Sequence, residues 1–131
     1  MTYDLLVPIL PERKLSPNGR SHDASKAAPK RRLREFVRVW AQENGPQIAR
    51  PFDHVTLDVE YRVCRSKTLP GDIYYRPTDP DNALASIKAA IDGLVDAGVL
   101  LDDKRTNVKL GDIDLVDVDD WSAEGLRFRI S

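Results

Sequence analysis

Residues 55–63, VTLDVEYRV, alternate apolar and polar side chains without a break, and this pattern limits the possible folds more than any other. The apolar positions are Val55, Leu57, Val59, Tyr61 and Val63. Successive side chains of a β-strand point to opposite faces, so one face of this segment is apolar and the other is polar. The segment is therefore predicted to lie in a sheet that is covered on one side only.

Two other segments have the apolar periodicity of helices. In the first, the residues that recur at i, i+3, i+4 and i+7 are Leu33, Phe36, Val37 and Trp40. Pro29 suits the first position of this helix, and Asn44 followed by Gly45 and Pro46 is expected to end it. The second predicted helix covers residues 83–97, and Gly98 can terminate it.

The remaining apolar patterns are those of strands. Residues 3–9 alternate, and Pro8 places this strand at a sheet edge. Residues 108–120 alternate in two runs whose phase slips between Leu115 and Val116, as at a bulge or a sheet edge, and residues 126–130 form a last strand. The order β-α-β-α-β-β predicts an α+β fold, with a mixed or mostly antiparallel β-sheet and two α-helices packed on one face. We expect a single domain over residues 1–131.

The composition restricts the class of protein. Cys64 is the only cysteine, so no intrachain disulfide is possible, which fits the reducing cytoplasm. No run of about 18 apolar residues suggests a membrane span, and residues 1–10 do not have the pattern of a signal peptide. The net charge of −1 is unevenly distributed: residues 1–50 carry 10 basic and 5 acidic side chains, whereas residues 79–131 carry 6 and 12. Such asymmetry suits a nucleic-acid surface beside a metal site, but is also common elsewhere.

The acidic residues around the second predicted helix allow two interpretations. In the segment DPDN, Asp81 or Asn82 is expected to cap the helix by accepting hydrogen bonds from its free N–H groups. Alternatively, Asp79 and Asp81 point to the same side of an extended segment and converge on a hard cation such as Mg²⁺. Lys88 falls on the same face of a continuous helix as Asp81, and its ammonium points back toward the acids. Asp92 is expected to pair with Lys88 on the surface.

Residues 79–103, DPDNALASIKAAIDGLVDAGVLLDD, resemble the core signature of the RusA-type Holliday junction resolvases, a family common in phages and prophages. That signature is an Asp-x-Asp-Asn, a lysine within a helix, a Gly-Val step and an Asp-Asp pair. LSPNGRSH, residues 15–22, is similar to the family's Pro/Ser-Asn loop. This chain has Ala85 where the family usually has its lysine, and KRTNV after Asp103 where the family often has Gln-Val. Since three residues are almost one helical turn, Lys88 keeps the same face about 4.5 Å further along the axis.

The resemblance implies a homodimeric, Mg²⁺-dependent endodeoxyribonuclease, with Mn²⁺ as a second candidate ion, that hydrolyses phosphodiester bonds in four-way junctions and other branched DNA during recombination and repair. It implies no membrane and no nucleotide cofactor, and it places a phage-encoded enzyme in the cytoplasm of the host bacterium. The implied catalytic residues are Asp79, Asp81, Asp103 and Lys88, of which the three acids hold the metal, with Asn82 and Asp102 in support. Two alternatives remain open: a catalytically inactive branched-DNA-binding protein of the same fold, and a small interaction domain whose acids only cap helices.

The predicted helix sets a condition on the site. About 15 helical residues span about 22 Å, so the acids at the two ends meet in only two ways. Either the segment VLLDD returns beside the helix, or Asp103 comes from the second subunit of a C2 dimer.

Phosphate contacts are expected from basic residues of the first helix and of the loop before the acids, although solvated surface charge is an equally good interpretation for each. These residues are Arg31, Arg34, Arg38, Lys67 and Arg76.

Overall fold

A computed structural model of the chain describes residues 2–17, 23–65 and 73–131, apart from the side chains of residues 23–25. The strands are β1 (Tyr3–Val7), β2 (Val55–Val63), β3 (Val108–Asp117) and β4 (Gly125–Ile130). The helices are α1 (Asp23–Asn44), α2 (Pro80–Ser86) and α3 (Lys88–Asp96), with short 3₁₀ turns at Arg13–Leu15 and Trp121–Ala123. The α+β prediction is confirmed, with three α-helices where the sequence predicts two.

The four strands form one sheet in the order β1-β4-β2-β3. β4 pairs antiparallel with β1 and with β2, whereas β2 and β3 pair in parallel. The prediction of a mixed, mostly antiparallel sheet is therefore confirmed, and β1 lies at an edge, as Pro8 indicates. Parallel neighbours need a long crossover connection, and α2 and α3 lie in the connection between β2 and β3.

The alternating segment forms β2 with the predicted buried face. Leu57, Val59, Tyr61 and Val63 are at most 1% exposed, and Phe128 of β4 is fully buried beside them. The helices cover this face with apolar side chains of α1 and α3, among them Leu33, Val37, Ala90, Ile91 and Leu94. The opposite face of β2 carries charge, and Glu60 there lies near the guanidinium groups of Arg62, Arg127 and Arg129. A sheet covered on one side, as predicted, follows from this division.

The second predicted helix is broken at Ile87, which ends α2 and begins α3. Its backbone has φ −100° and ψ 2°, and its N–H donates to the Leu84 carbonyl at 3.3 Å. The preceding Ser86 hydroxyl donates to the Ala83 carbonyl at 2.8 Å, a local bond of the kind that often bends helices. The Ile87 side chain is fully buried, so core packing holds the break in place.

The predicted start of the first helix at Pro29 is wrong, because α1 begins at Asp23 and Pro29 lies inside it. The run DASKAA before Pro29 contains strong helix formers that extend the helix backwards. The helix ends at Asn44, as the following Gly45 and Pro46 predict.

Of the two interpretations of the phase slip, the bulge is wrong and the sheet edge is confirmed, because β3 is the outermost strand beside β2. Leu115 and Val116 are in regular register with β2, and the irregularity lies between the pairs Leu57–Leu110 and Val59–Ile113. The carboxylate of Asp58 accepts the N–H of Asp112 at 2.7 Å in this bulge. The phase slip at Leu115 therefore did not mark the bulge, which lies where the apolar positions change phase between Leu110 and Ile113.

At Gly93 the helices α1 and α3 lie so close together that a mutation can test their contact. A Cβ atom added there would lie 2.6 Å from the Arg34 carbonyl oxygen and 2.9 Å from Cβ of Val37. Replacing a helical glycine with alanine ordinarily stabilises a protein by about 0.5–1 kcal/mol. Here we expect Gly93→Ala to lower the free energy of unfolding by about 1–3 kcal/mol, because the clash with backbone forces the helices apart. Urea denaturation measures this change.

Glu43→Ala, at an exposed position of α1, is the control and should change stability by less than about 0.5 kcal/mol. A Gly93→Ala protein that is as stable as the parent, or more stable, would show that the helices are not in contact at this glycine.

Candidate functional site

Asp79 is the N-cap of α2. Its Oδ1 accepts the backbone N–H of Asn82 at 2.9 Å, and its Oδ2 accepts the Nδ2–H of the same residue at 2.7 Å. The sequence prediction that Asp81 or Asn82 caps the helix is therefore wrong by two or three residues. Each carboxylate oxygen keeps a further lone pair, so capping fixes the orientation of Asp79 without exhausting its acceptor capacity.

Asp81 lies in the first turn of α2 and is exposed. The expected convergence of Asp79 and Asp81 requires an extended backbone through both residues. Asp79 is extended, with φ −140° and ψ 153°, but the helix already begins at Pro80. The i, i+2 argument therefore does not apply to this pair, and Asp81 has the position of an acid that favours the helix dipole.

Asp102 organises the turn that precedes β3. Its carboxylate accepts the N–H of Lys104 at 2.9 Å and the Nδ2–H of Asn107 at 3.0 Å. The side-chain bond from Asn107, followed by the bond from the Lys104 backbone, holds the pKa of Asp102 below its usual range. Asp102 thus fixes the loop that carries its exposed neighbour Asp103.

Lys88 and Asp103 line one hollow of about 330 Å³ beside α3, which we call the β3 hollow. Asp92 also lines it, and apolar contacts come from Ile91, Val108 and Leu110. Burial raises the pKa of Asp92, and the negative charge of Asp103 adds to this, while Arg34 acts in the opposite direction. Within the described residues Asp92 forms no ion pair with Lys88, contrary to expectation. Asp92 thus belongs to the site, although helical spacing alone placed it in a surface ion pair.

The loop that carries Asp103 lies near the start of β2. The Phe52 N–H donates to the Val99 carbonyl at 2.8 Å, and the Leu101 N–H donates back to the Phe52 carbonyl at 2.9 Å. Phe52 lies three residues before the first residue of β2, Val55, which is paired with Val108 of β3. The segment VLLDD therefore joins the end of the sheet at which the parallel pair begins.

The segment before Asp79 is held at the other end of the same strands. The Arg65 guanidinium donates to the Pro77 carbonyl at 2.5 Å and pairs with Asp117 at 3.2 Å. Asp117 is the last residue of β3 and is opposite Val63 of β2. The eight residue steps from Val55 to Val63 span about 26 Å. The two acidic segments are therefore held at opposite ends of the parallel pair.

The candidate acids accordingly do not form a single group. Across the parts of the chain that are described, no three Asp, Glu, His or Cys side chains lie close enough together to hold a metal ion. Asp103 lines a hollow with Lys88, whereas Asp79 and Asp81 lie at the start of α2. In this arrangement the three acids lie on separate parts of one chain.

The position of Lys88 bears on its departure from the family pattern. Ala85 and Lys88 line the same hollow, a second one of about 800 Å³ between α1 and the helices α2 and α3. Although Ile87 interrupts the helix, Lys88 therefore still lines the space in which the family's lysine, at position 85, would lie. Lys88 lines both hollows.

The basic residues predicted on α1 differ in their surroundings. Arg34 donates to both oxygens of Asp96, at 2.5 and 2.8 Å, and Arg38 is paired with Glu35. These two arginines stabilise α1 and its contact with α3. Arg31 is exposed and makes no ion pair with any described residue.

The two other predicted contacts lie on the loop before the acids. Arg76 donates two hydrogen bonds of 2.8 Å to Glu124 and stacks over Trp121 at 4.7 Å. Glu124 also accepts the N–H of Cys64 at 2.8 Å, and the Arg76 side chain is only 15% exposed. Arg76 therefore connects two loops to the end of β2. Lys67 lies outside the described residues.

Comparison with known protein families finds none whose model matches this chain, and comparison with curated proteins finds no match. Among the described helices, none combines the length and the apolar character needed to cross a lipid bilayer.

The hydrogen bonds of Asp102 make its contribution to stability dependent on pH. A carboxylate whose pKa is lowered by folding stabilises the folded state above its unfolded pKa of about 3.9, and this contribution disappears as the pH falls through the folded value. Asp102→Ala should lower the melting temperature at pH 7. The difference from the parent should decrease as the pH falls below about 4.

Thermal denaturation of both proteins between pH 7 and pH 2 measures this difference. Asp103→Ala serves as the control, since Asp103 accepts no hydrogen bond from a described residue, and it should show a small difference at every pH. A constant difference between the parent and Asp102→Ala would mean that the carboxylate does not stabilise the turn as an anion.

Proposed function

We propose that the chain is a Mg²⁺-dependent endonuclease that cuts branched DNA as a homodimer, with four-way junctions as the substrate and the bacterial cytoplasm as its location. The observation that supports this most directly is the β3 hollow, in which Lys88 and Asp103 lie on one surface. The resemblance of residues 79–103 to the RusA-type resolvases contains both residues. Helix capping and surface pairing give no reason for a lysine and an aspartate to share this hollow.

Lys88 has the chemistry needed at a phosphodiester. Its ammonium is exposed and is paired with no carboxylate among the described residues. A cation held where negative charge develops on a phosphate stabilises the transition state, and such contributions are commonly worth several kcal/mol. Lys88 is therefore proposed to hold the scissile phosphate.

The acidic residues are proposed to come from two chains. In a C2 dimer, Asp79 and Asp81 of one subunit and Asp103 of the partner subunit would provide three carboxylate ligands, which suit Mg²⁺ and also Mn²⁺. Asn82, through Asp79, and Asp102, through the turn before β3, would orient two of these ligands. A two-fold dimer has two such sites, and the phosphates of a four-way junction are also related by two-fold symmetry.

A second candidate is a protein that binds branched DNA without cutting it. Asp79 and Asp102 both have complete structural roles, as a helix cap and as the centre of a turn. These roles would retain the acids in a protein that had lost catalysis. Cleavage of DNA separates the two proposals.

Incubation with a labelled four-way junction should give cleavage with Mg²⁺ or Mn²⁺ and none with EDTA. Lys88→Ala should lower the cleavage rate at saturating DNA about 10²–10³-fold, because the developing charge loses its cation. Single-turnover kinetics measures this rate. Lys104→Ala, which removes a lysine that lines neither hollow, should cleave at nearly the parental rate.

The result decides between the candidates. Binding of the junction without cleavage under either metal would favour the non-catalytic protein. If no salt-sensitive binding to branched DNA were found, an interaction domain with capping acids would remain.

Mixing inactive subunits tests whether the acids act across the dimer. Asp79→Asn and Asp103→Asn homodimers should each be inactive. In a mixed dimer with shared sites, one site carries both substitutions and the other carries none, so nicking activity should return after subunit exchange. If every site were built within one chain, both sites of the mixed dimer would remain defective and the mixture would be inactive.

A further inference from the structure

The larger hollow, of about 800 Å³, lies where α1 diverges from α3. The helices are in close contact at Gly93, which faces Arg34 and Val37. From this contact the N-terminal part of α1 forms one wall, and residues 85–96 form the other. We call this space the α1 hollow. Small side chains leave it open, and these are Ala27, Ala85, Ser86 and Ala89.

The α1 hollow has an excess of positive charge. Its basic lining residues apart from Arg34 are Lys26, Lys30, Arg31 and Lys88. None of these four has an ion pair or hydrogen bond to a side chain within the described residues. Two of the three acids that line it, Asp96 and Glu35, are already paired with Arg34 and Arg38. Four cations therefore face one remaining acid, Asp92.

The hollow also has an extension. Lys88 lines it and the β3 hollow as well, so the two spaces adjoin at this lysine. A small anion would occupy one part of this surface. A chain of phosphates could contact the cations of α1 and continue past Lys88 toward Asp103. The extended arrangement of cations suits a polyanion better than a small apolar ligand.

We propose that the α1 hollow binds the phosphodiester backbone of DNA through Lys26, Lys30 and Arg31, and thereby directs the strand to Lys88. This proposal rests on the proposed function and adds to it a specific binding surface. Contacts with phosphates carry no sequence information, so the hollow should bind the duplex arms of a junction irrespective of their sequence. Lys26 was missed in the sequence because α1 was expected to begin only at Pro29.

Fluorescence anisotropy in EDTA tests binding without cleavage, with a labelled four-way junction and a linear duplex as probes. The triple variant Lys26→Gln/Lys30→Gln/Arg31→Gln should raise the Kd for both probes at least about tenfold at about 0.1 M salt. Each phosphate contact contributes about 0.9 to the slope of log K against log salt concentration, so the slope should become shallower by about 2.7.

The control is Arg50→Gln/Arg105→Gln/Lys109→Gln, which removes the same number of charges from exposed positions outside both hollows. It should weaken binding less than about threefold, as expected for screened charges outside the binding surface. Thermal denaturation of both triple variants verifies that they are folded. Equal weakening in both, or no weakening in the hollow variant, would overturn the proposal.

A gain of affinity gives an independent test. Ala85 lines the hollow and is exposed, so Ala85→Lys adds a cation to the wall that faces α1. We expect a lower Kd for both probes and a slope steeper by about 0.9. Unchanged or weaker binding by a folded Ala85→Lys protein would count against the proposal.

The proposal and the function on which it rests can fail separately. If the parent protein cut junctions with Mg²⁺ but the hollow variant bound DNA like the parent, the hollow would be rejected and the nuclease retained. If the parent bound DNA through the hollow and cut nothing, the nuclease would be rejected and the hollow retained. A parent protein that did not bind DNA would reject both.

Discussion

The parallel pairing of β2 with β3 imposes the arrangement on which the candidate site depends. Since parallel strands start at the same end of a sheet, the chain must return along the full length of β2 before β3 can begin. The helices α2 and α3 lie in this return. Asp79 therefore follows one end of the strand pair, and Asp102 and Asp103 precede the other end. An antiparallel connection would have placed these acids on adjacent turns.

The sequence predicted those parts of the fold that depend on local periodicity. The alternation of residues 55–63 defined β2 and its buried face because a strand places every second side chain in the core. The break at Ile87 was not predictable in this way, whereas the bulge opposite Asp58 coincides with a change of phase between Leu110 and Ile113 that was not assigned to it. Each is held by tertiary contacts, burial of a side chain in one case and a hydrogen bond between strands in the other. The break at Ile87 does not change the apolar pattern around it.

The same distinction applies to the candidate site. Asp79 caps a helix and Asp102 accepts hydrogen bonds in a turn, and the donors lie within five residues of each acid along the chain. Residue types near a helix start indicate such roles, although the capping residue was misassigned. The shared surface of Lys88, Asp92 and Asp103 arises because the loop after α3 pairs with Phe52. That pairing depends on a residue far away in the sequence, so helical spacing assigned Asp92 only to a surface pair.

Attraction to DNA depends on the local charge of a surface and not on the net charge of the chain. The net charge of −1 would suggest no attraction to DNA. Screening at physiological salt limits exposed charges to distances of about 8 Å, so a phosphate responds to the charges beside it. Packing α1 against α3 combines the basic first third of the sequence with part of its acidic last third. The Arg34–Asp96 pair neutralises part of both. The cations that remain lie together on the side of α1 that faces Lys88, which is where an approaching phosphate chain would find a positive field.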